Sequence, residues 1–343
     1  MTQKAIALVP AYKPDNRIFD VVDSLISAEF HHVLVVSDGN SQDFEPILSK
    51  LETMSGVTLL HHSVNMGKGR ALKTAFDYIL KTWPGLPAVC VDCDGQLSAE
   101  DAAKGAALAY EYPDSLILGC RNLHRTKNVP LASRFGNRTT KLTVALLTGL
   151  RYSDTQCGLR AYPPEIMKKL LSVPGERFEF ENNTLLEVRK KAIPVVEYPI
   201  NVVYQENEGY TTTFRRIHDS ILIYKNLLSF LCAPTISFLL ASVIWLLATE
   251  KMASPIWLGI SYAVAVSVSA SLCALATAKV KPMIFSGIGL GIILGALAFC
   301  FSSLGLGNEL VWLCMFIPTF FGLSVIFRRF GFCKRPKITR LSK

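Results

Sequence analysis

Residues 1 to about 200 alternate short apolar runs with amphipathic stretches, a pattern typical of alternating strands and helices. Strands are predicted at five aliphatic runs that end in polar or turn residues: AIALVP (5–10), HVLVVSD (32–38), VTLLHH (57–62), AVCVDCD (88–94) and SLILGC (115–120). Apolar residues at helical spacing predict helices near 17–29, 69–83 and 99–112. This order predicts an α/β domain with a mainly parallel sheet.

The last third of the chain has a different pattern, with four long runs that contain no Asp, Glu, Lys or Arg: 227–248, 255–278, 283–307 and 310–327. Each approaches or exceeds the roughly 18 to 20 apolar residues that a membrane-spanning helix needs. Core helices of a soluble domain would instead show an amphipathic face. The chain is therefore predicted to comprise an α/β domain (1–210), a juxtamembrane amphipathic segment (211–226), four transmembrane helices (227–327) and a basic cytoplasmic tail (328–343).

Basic residues beside these runs set the predicted orientation in the membrane. The connection after the second run carries Lys279 and Lys281, whereas the third connection has no basic residue. The segment after the fourth run is rich in basic residues: Arg328, Arg329, Lys334, Arg335, Lys337, Arg340 and Lys343. Cytoplasmic loops carry an excess of Lys and Arg. A multi-pass membrane protein is thus predicted, with the α/β domain, the second loop and the tail in the cytoplasm.

The composition agrees with a membrane protein. Half of the 343 residues are hydrophobic and only 18% are charged, where ordinary globular domains carry about 25%, so intrinsic disorder is excluded. Much of the net charge of +9 lies in the tail and at Arg215, Arg216 and Lys225, ahead of the first apolar run. Because the sequence carries no nucleic-acid-binding motif, anionic lipid head groups are the expected partner of these residues.

Polar residues follow several predicted strands. Ligands of open α/β sheets bind beyond the carboxyl ends of the strands, where the sequence has Ser37-Asp38-Gly39 and Asp92-Cys93-Asp94. Carboxylates two residues apart can bind one hard cation, such as Mg²⁺ or Mn²⁺, that bridges to substrate phosphates. The run Gly67-Lys68-Gly69 has neither the dinucleotide-binding nor the P-loop spacing, which argues against a dehydrogenase or an ATPase.

Several motifs, taken in order, resemble those of family 2 glycosyltransferases with the GT-A fold. They are Val9 to Tyr12, Val35 to Ser41, Asn65 to Gly69, Asp92 to Gln96, Leu131 to Leu150, Asp154 to Arg160 and Glu176 to Glu181. The polyprenyl-phosphate branch, the group of dolichyl-phosphate mannose synthase and bactoprenol glucosyltransferase, is the most similar. The resemblance covers roughly residues 5 to 225 and implies a Rossmann-like GT-A domain that binds a nucleotide sugar. The four apolar runs resemble the GtrA-like membrane domain that often accompanies such enzymes.

The resemblance implies roles for single residues. Contacts to the nucleotide sugar are expected from Pro10, Tyr12, Asp15, Asp38, Lys68, Asp92 and Arg121. Asp38 is expected to bond the base, and Asp92, Asp94 and Gln96 are expected to surround Mg²⁺ or Mn²⁺ on the donor diphosphate. The lipid phosphate is expected at Arg134, Arg215 and Arg216. The catalytic candidates are Asp94, Asp154 and Arg160.

The sequence departs from the family pattern at three places. The acid of the first motif moves one position, to Asp15, and the second motif keeps one acid, Asp38. Some relatives carry an acid where this chain has Gly158, so a carboxylate base at that position is in doubt.

The expected reaction is inverting transfer of a sugar from a UDP- or GDP-sugar to undecaprenyl or dolichyl phosphate at the cytoplasmic membrane face. A metal and arginines would stabilise the charge on the leaving diphosphate. A phosphate monoester, with a second pKa of about 6, is substantially dianionic near neutral pH and needs no general base. A hydroxyl acceptor would need one, for which Asp154 is the nearest candidate, although a cap or turn residue is the alternative reading of Asp154.

Other interpretations stay open at this point. The acceptor is alternatively another glycan or lipid, or the helices translocate a lipid-linked sugar while the front domain senses nucleotide sugar. A processive synthase is disfavoured because the region where Gln-x-x-Arg-Trp belongs has no tryptophan. Residues 137–150 fit either a helix at the bilayer surface or an ordinary packed helix. The Gly, Ala and Ser content of the predicted spans would permit a homo-oligomer.

Overall fold

The computed structural model describes residues 4–121, 131–202, 232–249, 254–274, 280–330 and 336–341. The chain divides into two compact units. The first comprises Met1–Thr143, Arg151–Lys225 and Pro336–Lys343, and the second comprises Val144–Leu150 and Asn226–Arg335. The predicted juxtamembrane segment at 211–226, with Arg215 and Arg216, lies outside the described residues.

The first unit is built on a mixed sheet. Within the described residues its strands are β1 (Ile6–Ala11), β2 (His32–Asp38), β3 (Val57–His62), β4 (Ala88–Cys90), β5 (Leu116–Arg121), β6 (Arg160–Tyr162), β7 (Val195–Ile200) and β8 (Ile338–Arg340). Their spatial order is β3-β2-β1-β4-β6-β5-β7-β8. Adjacent strands are parallel except at β6, which runs antiparallel to both β4 and β5.

The central strands are apolar because they are covered on both faces, as parallel strands usually are. Ile6, Ala7, Leu8 and Val9 in β1 are all buried. The five predicted strands are present, but β4 ends at Cys90, four residues before the predicted end. Asp92 and Asp94 therefore lie beyond the end of the strand.

Helices cover both faces of this sheet. The helices up to residue 190 are α1 (Arg17–Ser27), α2 (Glu45–Glu52), α3 (Lys68–Thr82), α4 (Ala99–Glu111), α5 (Leu131–Thr148), α6 (Pro164–Leu170) and α7 (Glu179–Lys190). The end of α5, from Val144, belongs to the second unit. Val9 of β1 and Ala161 of β6 share a buried core with Val22 of α1 and Ala102 of α4. Successive strand residues point to opposite faces, and on the other face the ring of Tyr162 lies 4.8 Å from that of Phe76 in α3. The predicted α/β domain with a mainly parallel sheet is confirmed.

The eighth strand comes from the segment that the sequence analysis assigned to a basic tail at 328–343. Residues 338–340 pair in parallel with β7. The N–H of Val195 donates to the Lys337 carbonyl at 2.9 Å, and the N–H of Leu341 donates to the Glu197 carbonyl at 2.9 Å. Part of this segment is therefore built into the sheet, which its basic composition did not predict.

The second unit contains four apolar helices among its described residues. They are α8 (Cys232–Thr249), α9 (Pro255–Ala274), α10 (Val280–Ser303) and α11 (Asn308–Phe330). Pro255–Leu272 and Met283–Ser303 are long and apolar enough to cross a membrane, while Thr235–Leu247 and Leu313–Ile326 are shorter apolar stretches. Helices are present at all four predicted apolar runs, and two of them are long and apolar enough to cross a membrane. The four-helix transmembrane domain stays a prediction.

Helices α9 and α10 approach closely because glycines line their contact. A Cβ at Gly291 would lie 2.5 Å from the Ala263 carbonyl oxygen, and one at Gly295 would lie 2.5 Å from the Gly259 carbonyl oxygen. Real side chains do not tolerate such distances, so glycine is needed for this packing. Small residues that let two backbones meet are a feature of helix association in membranes.

Candidate active site

The pair Asp92 and Asp94 follows β4 at the carboxyl edge of the parallel strands. Lys68, the first residue of α3, donates through Nζ to Asp92 Oδ1 at 2.7 Å. The same Nζ lies 3.1 Å from Glu181 Oε1 of α7. The Lys68 side chain is 13% exposed, so two carboxylates from different elements share one buried cation.

Electrostatics keep this lysine charged. Burial acts to lower the pKa of Lys68, but the negative charges of Asp92 and Glu181 outweigh it and hold that pKa well above its usual value. Burial raises the pKa of Asp94, and repulsion from the neighbouring Asp92 carboxylate raises it further. The site therefore carries more negative charge than Lys68 alone offsets, and additional positive charge near Asp94 would be stabilising.

Gly158 makes room for Asp92. A Cβ at position 158 would lie 2.1 Å from Asp92 Oδ2 and 2.8 Å from its Cγ. The motif from Asp154 to Arg160 thus meets the Asp92 carboxylate at the glycine that replaces the acid of some relatives. Larger side chains at this position would compete with Asp92 for the same space.

Asp38, predicted to bond the nucleotide base, is 3% exposed and holds the loop that leads into α3. Its Oδ1 accepts from the Met66 N–H at 2.9 Å, and its Oδ2 accepts from the Gly67 N–H at 2.7 Å. His62 Nδ1 lies 2.8 Å from Oδ1, and Asn65 Nδ2 donates to Oδ2 at 3.2 Å. Both carboxylate oxygens are therefore engaged inside the protein, in an arrangement that positions the residues just before Lys68.

The first strand ends in residues that were predicted to line the nucleotide. Pro10 and Tyr12 are half-buried. Asp15 pairs with Arg17, whose Nε lies 2.9 Å from Asp15 Oδ1. The hydrogen bond from Arg17 lowers the pKa of the Asp15 carboxyl. Asp15 is thus an ionised, exposed group beyond β1, and its contact with the nucleotide stays a prediction.

Asp154 and Arg121, placed in different predicted roles, form one buried pair. Arg121 Nε donates to Asp154 Oδ2 at 2.7 Å, and Nη2 donates to Oδ1 at 3.1 Å. The Asp154 side chain has no exposed surface, and that of Arg121 is 16% exposed. Because the two donors match the two carboxylate oxygens, Asp154 fixes the orientation of the guanidinium.

Arg160 lies inside the domain, with 1% of its surface exposed. Its guanidinium donates to the carbonyls of Cys157, Glu181 and Thr155 at 3.2, 2.8 and 3.3 Å, and to the Thr184 hydroxyl at 3.1 Å. Arg160 was predicted to be a catalytic residue, but its donors face three backbone carbonyls and a threonine hydroxyl. Arg160 thus links residues 155–157 to α7 through hydrogen bonds. A direct role of Arg160 in catalysis stays a prediction.

The structure describes only part of the contacts of the remaining predicted residues, which are Gln96, Arg134, Arg215 and Arg216. Gln96 donates its backbone N–H to Asp94 Oδ1 at 3.1 Å. Arg134 lies in α5, and its side chain is outside the described part, as are Arg215 and Arg216. No group of three or more His, Cys, Asp or Glu side chains that could hold a metal ion occurs within the described residues.

Three contacts of this region were not predicted. Glu181, His62 and Glu197 were given no role, although each bonds a residue of a recognised motif or its neighbour. Glu181 closes the stretch Glu176 to Glu181, so the motif was visible in the sequence. Its partner Lys68 lies more than a hundred residues earlier, and a single sequence does not reveal such a pairing.

Comparison with known proteins shows which family this part of the chain matches. Residues 6–171 match glycosyl transferase family 2. The chain is 28% identical over 202 residues to an uncharacterized protein of Methanocaldococcus jannaschii, covering 58% of this chain and 81% of that protein. It is 28% identical over 223 residues to a UDP-N-acetylglucosamine–dolichyl-phosphate N-acetylglucosaminyltransferase of Methanococcus voltae, covering 60% of this chain and 88% of that relative.

Two further similarities are more distant. A dolichyl-phosphate beta-glucosyltransferase of Trichomonas vaginalis is 24% identical over 222 residues, covering 59% of this chain and 66% of that relative. Among solved structures, a fragment of S. aureus TarS in complex with UDP-GlcNAc aligns with a TM-score of 0.43 at 14% identity, over 89% of this chain and 93% of that chain.

The mixed α/β sheet, the acidic pair beyond β4 and the family match define a glycosyltransferase with the GT-A fold. Its N-terminal domain belongs to glycosyl transferase family 2, as the motifs indicated. Two of the relatives described above are named as dolichyl-phosphate transferases, the branch that the motifs resemble. The family match ends at residue 171, so the apolar helices lie outside it and the GtrA-like resemblance stays a prediction.

Proposed function

We propose that this protein transfers a sugar, with inversion, from a UDP- or GDP-sugar to a polyprenyl phosphate, and so forms a lipid-phosphate-sugar. The observation that carries the proposal is the Asp92–Asp94 pair at the carboxyl edge of a family 2 domain that is followed in the chain by long apolar helices. Relatives named as dolichyl-phosphate transferases support the acceptor. The sugar and the nucleotide are left to the experiment below.

The donor set suits a divalent cation. Asp92 and Asp94 supply the carboxylate oxygens that Mg²⁺ and Mn²⁺ prefer. Burial and the neighbouring Asp92 carboxylate raise the pKa of Asp94, and a bound cation would offset that repulsion. Asp94, Asp92 and the nearby Gln96 are the residues that would hold the ion. When bound, a divalent cation stabilises negative charge on the leaving diphosphate.

The pairing of Asp154 favours a phosphate acceptor over a hydroxyl acceptor. Asp154 was the candidate general base, yet both of its oxygens bind Arg121. A phosphate acceptor is already anionic near neutral pH and requires no base. The chain's own contribution would then be to hold the donor diphosphate and the acceptor phosphate in line, with the Arg121 guanidinium that Asp154 orients offsetting part of their charge.

The apolar unit supplies a route to a lipid acceptor. We propose that α8–α11 are four transmembrane helices, that the α/β domain faces the cytoplasm, and that the basic residues around the helices meet anionic head groups. Arg134, Arg215 and Arg216 are the proposed contacts of the lipid phosphate. The exposed Leu142 of α5 fits either a bilayer-facing or a solvent-facing position of that helix.

The proposal is tested with the full chain purified in detergent. It is incubated with a polyprenyl phosphate, Mg²⁺ or Mn²⁺, and a panel of UDP- and GDP-sugars, while nucleoside diphosphate release and the glycolipid are measured. One sugar should appear on the lipid, and EDTA should abolish its transfer. Asp94→Asn should lower the transfer rate by about 10²- to 10³-fold, the usual effect of losing one electrostatic stabiliser of a transition state.

Asp114→Asn is the matched control, because Asp114 is an exposed acid in the turn before β5, and it should keep the wild-type rate. Nucleotide release without a glycolipid would show a different acceptor. Absence of release from every donor would contradict the proposal and favour the sensing or translocating role.

A further inference from the structure

The last strand of the sheet brings a cation to a buried carboxylate. Arg340 of β8 donates through Nε to Glu197 Oε2 of β7 at 2.9 Å, and through Nη2 to the Arg151 carbonyl. The Glu197 side chain is 2% exposed, whereas that of Arg340 is 57% exposed. The guanidinium therefore closes over the carboxylate from the surface of the first unit.

Glu197 uses its two oxygens to hold the beginning of a site loop. The Ser153 N–H donates to Oε1 at 2.7 Å, and the Ser153 hydroxyl donates to Oε2 at 2.6 Å. The next residue is Asp154, which binds Arg121 through both carboxylate oxygens. A continuous series of contacts thus runs from the C-terminal strand to the Asp154–Arg121 pair.

We propose that Arg340 is a positioning residue for sugar transfer, and that β8 supports the active site by fixing the loop 151–157. A buried carboxylate that loses its cation is strongly destabilised. Without Arg340, Glu197 would turn to water or take up a proton and would release Ser153, so Arg121 would lose its fixed orientation. This inference rests on the proposed function, since the loop matters for transfer only if Arg121 serves a substrate phosphate.

The register of β8 makes the role specific to one side chain. Backbone bonds from Val195 to Lys337 and from Leu341 to Glu197 hold the strand independently of the Arg340 side chain. Lys337 is basic and exposed in the same segment. Lys337→Ala therefore removes one positive charge from the residue just before β8, and it separates loss of the Glu197 contact from loss of positive charge in the tail.

The test compares Arg340→Ala, Arg340→Lys and Lys337→Ala in the full chain, purified in detergent. Hydrogen–deuterium exchange is followed on peptides that cover residues 151–157, because local opening exposes amides without global unfolding. Exchange there should rise in Arg340→Ala, fall back partly in Arg340→Lys and stay at the wild-type rate in Lys337→Ala. Peptides of β1 and β2 should exchange alike in all variants.

Kinetics supply the second measurement. In Arg340→Ala, kcat should fall by about tenfold, within the range of up to about 10²-fold that misplacement of a reacting group costs. The KM for the nucleotide sugar should change less than kcat, because Asp92 and Lys68 lie outside the loop 151–157 and keep their contacts. Arg340→Lys should recover part of kcat, and Lys337→Ala should keep it.

Unchanged exchange at 151–157 in Arg340→Ala would overturn the inference, as would raised exchange with an unaltered kcat. An equal effect of Lys337→Ala would overturn it too, because charge rather than the Glu197 contact would then be responsible. If the wild-type chain transfers sugar to no polyprenyl phosphate, the proposed function fails, and the exchange measurement alone still decides whether β8 holds the loop.

Discussion

At the residue scale, the site is held by charges that pair inside the protein between distant parts of the chain. Lys68 joins Asp92 to Glu181, and Arg121 is fixed by Asp154. Buried pairs of this kind are expensive to break from one side only, because the remaining charge has no partner. In each pair, the carboxylate fixes where the charged end of the cation lies.

The contact between Gly158 and Asp92 gives a prediction at this scale. Gly158→Ala would place a methyl group 2.1 Å from Asp92 Oδ2, so the carboxylate must shift away. We expect sugar transfer to fall by about ten- to a hundredfold, because small displacements at a reacting centre are costly, while the thermal midpoint changes little. Steady-state transfer and thermal unfolding of the purified protein measure both.

Gly136→Ala is the matched control for this substitution. Outside its own helix backbone, the nearest atom to its Cβ would be Gln156 Nε2, at 3.8 Å. Alanine is favoured over glycine within a helix by about 1 kcal/mol. Transfer should stay at the wild-type rate. A Gly158→Ala enzyme as active as Gly136→Ala would show that the Asp92 position is not critical.

Single residues also mark the limit of what the sequence predicted. Motif positions identified Asp154 and Arg160 as important: Asp154 lies in the loop that meets Asp92, and Arg160 begins β6 just after that loop. Their partners could not be inferred, because these belong to β5 and α7, far away in the chain. An arginine that binds backbone carbonyls and one that binds a phosphate look the same in a sequence.

At the element scale, a strand or helix could be predicted from the sequence when its own residues determine it, without partners elsewhere in the chain. β1 and β2 are continuous apolar runs with turn residues after them, and their predicted ranges match closely. β6 spans three residues and begins with a buried arginine, so it exists only because β4 and β5 flank it. α7 buries Glu179, Asn182 and Asn183, which disguises the apolar periodicity that normally predicts a helix.

The loop before α3 gives a prediction at this scale. Asp38→Asn would replace one of the accepting oxygens with an NH₂ group, which cannot accept from the backbone N–H groups of Met66 and Gly67. The loss should lower the free energy of unfolding by about 2 kcal/mol. At roughly 2 to 4 °C per kcal/mol for a unit of this size, the thermal midpoint should fall by several degrees. The donor KM should rise as well, because the residues leading into Lys68 are less well held.

The thermal midpoint and the donor kinetics also distinguish the two roles considered for Asp38, which are bonding the base and holding the loop before α3. A residue that only bonds the base would change the preference between UDP- and GDP-sugars and leave the thermal midpoint unaltered. Asp43→Asn, an exposed acid in the next turn, should change neither quantity. An Asp38→Asn protein with the wild-type midpoint would contradict its role in holding the loop.

At the scale of the whole molecule, the chain combines a polar enzyme domain with an apolar helical unit. Large apolar side chains of α10 are exposed, including Phe285 at 73% and Ile292 at 62%. Leaving such surface in water costs about 25 cal/mol per Å². These faces are therefore expected to lie against lipid or against another apolar surface.

We expect the protein to stay with the membrane pellet after an alkaline carbonate wash and to be released by detergent. The physical reason is that carbonate disrupts charge contacts of peripheral proteins but does not remove buried apolar helices from a bilayer. Immunoblots of pellet and supernatant check this, with a known peripheral protein as the reference. Release into the carbonate supernatant would contradict the transmembrane assignment.

Strand β8 has a consequence for how the enzyme is made. A ribosome builds the chain from its N-terminus, so the residues that pair with β7 emerge only after all four apolar helices have been synthesised. Until then Glu197 lacks the cation that covers it, and the loop it holds is unsupported. A nascent or prematurely terminated chain would therefore carry a complete family 2 motif set without a finished sheet, and full activity would begin only after the helical unit has been made.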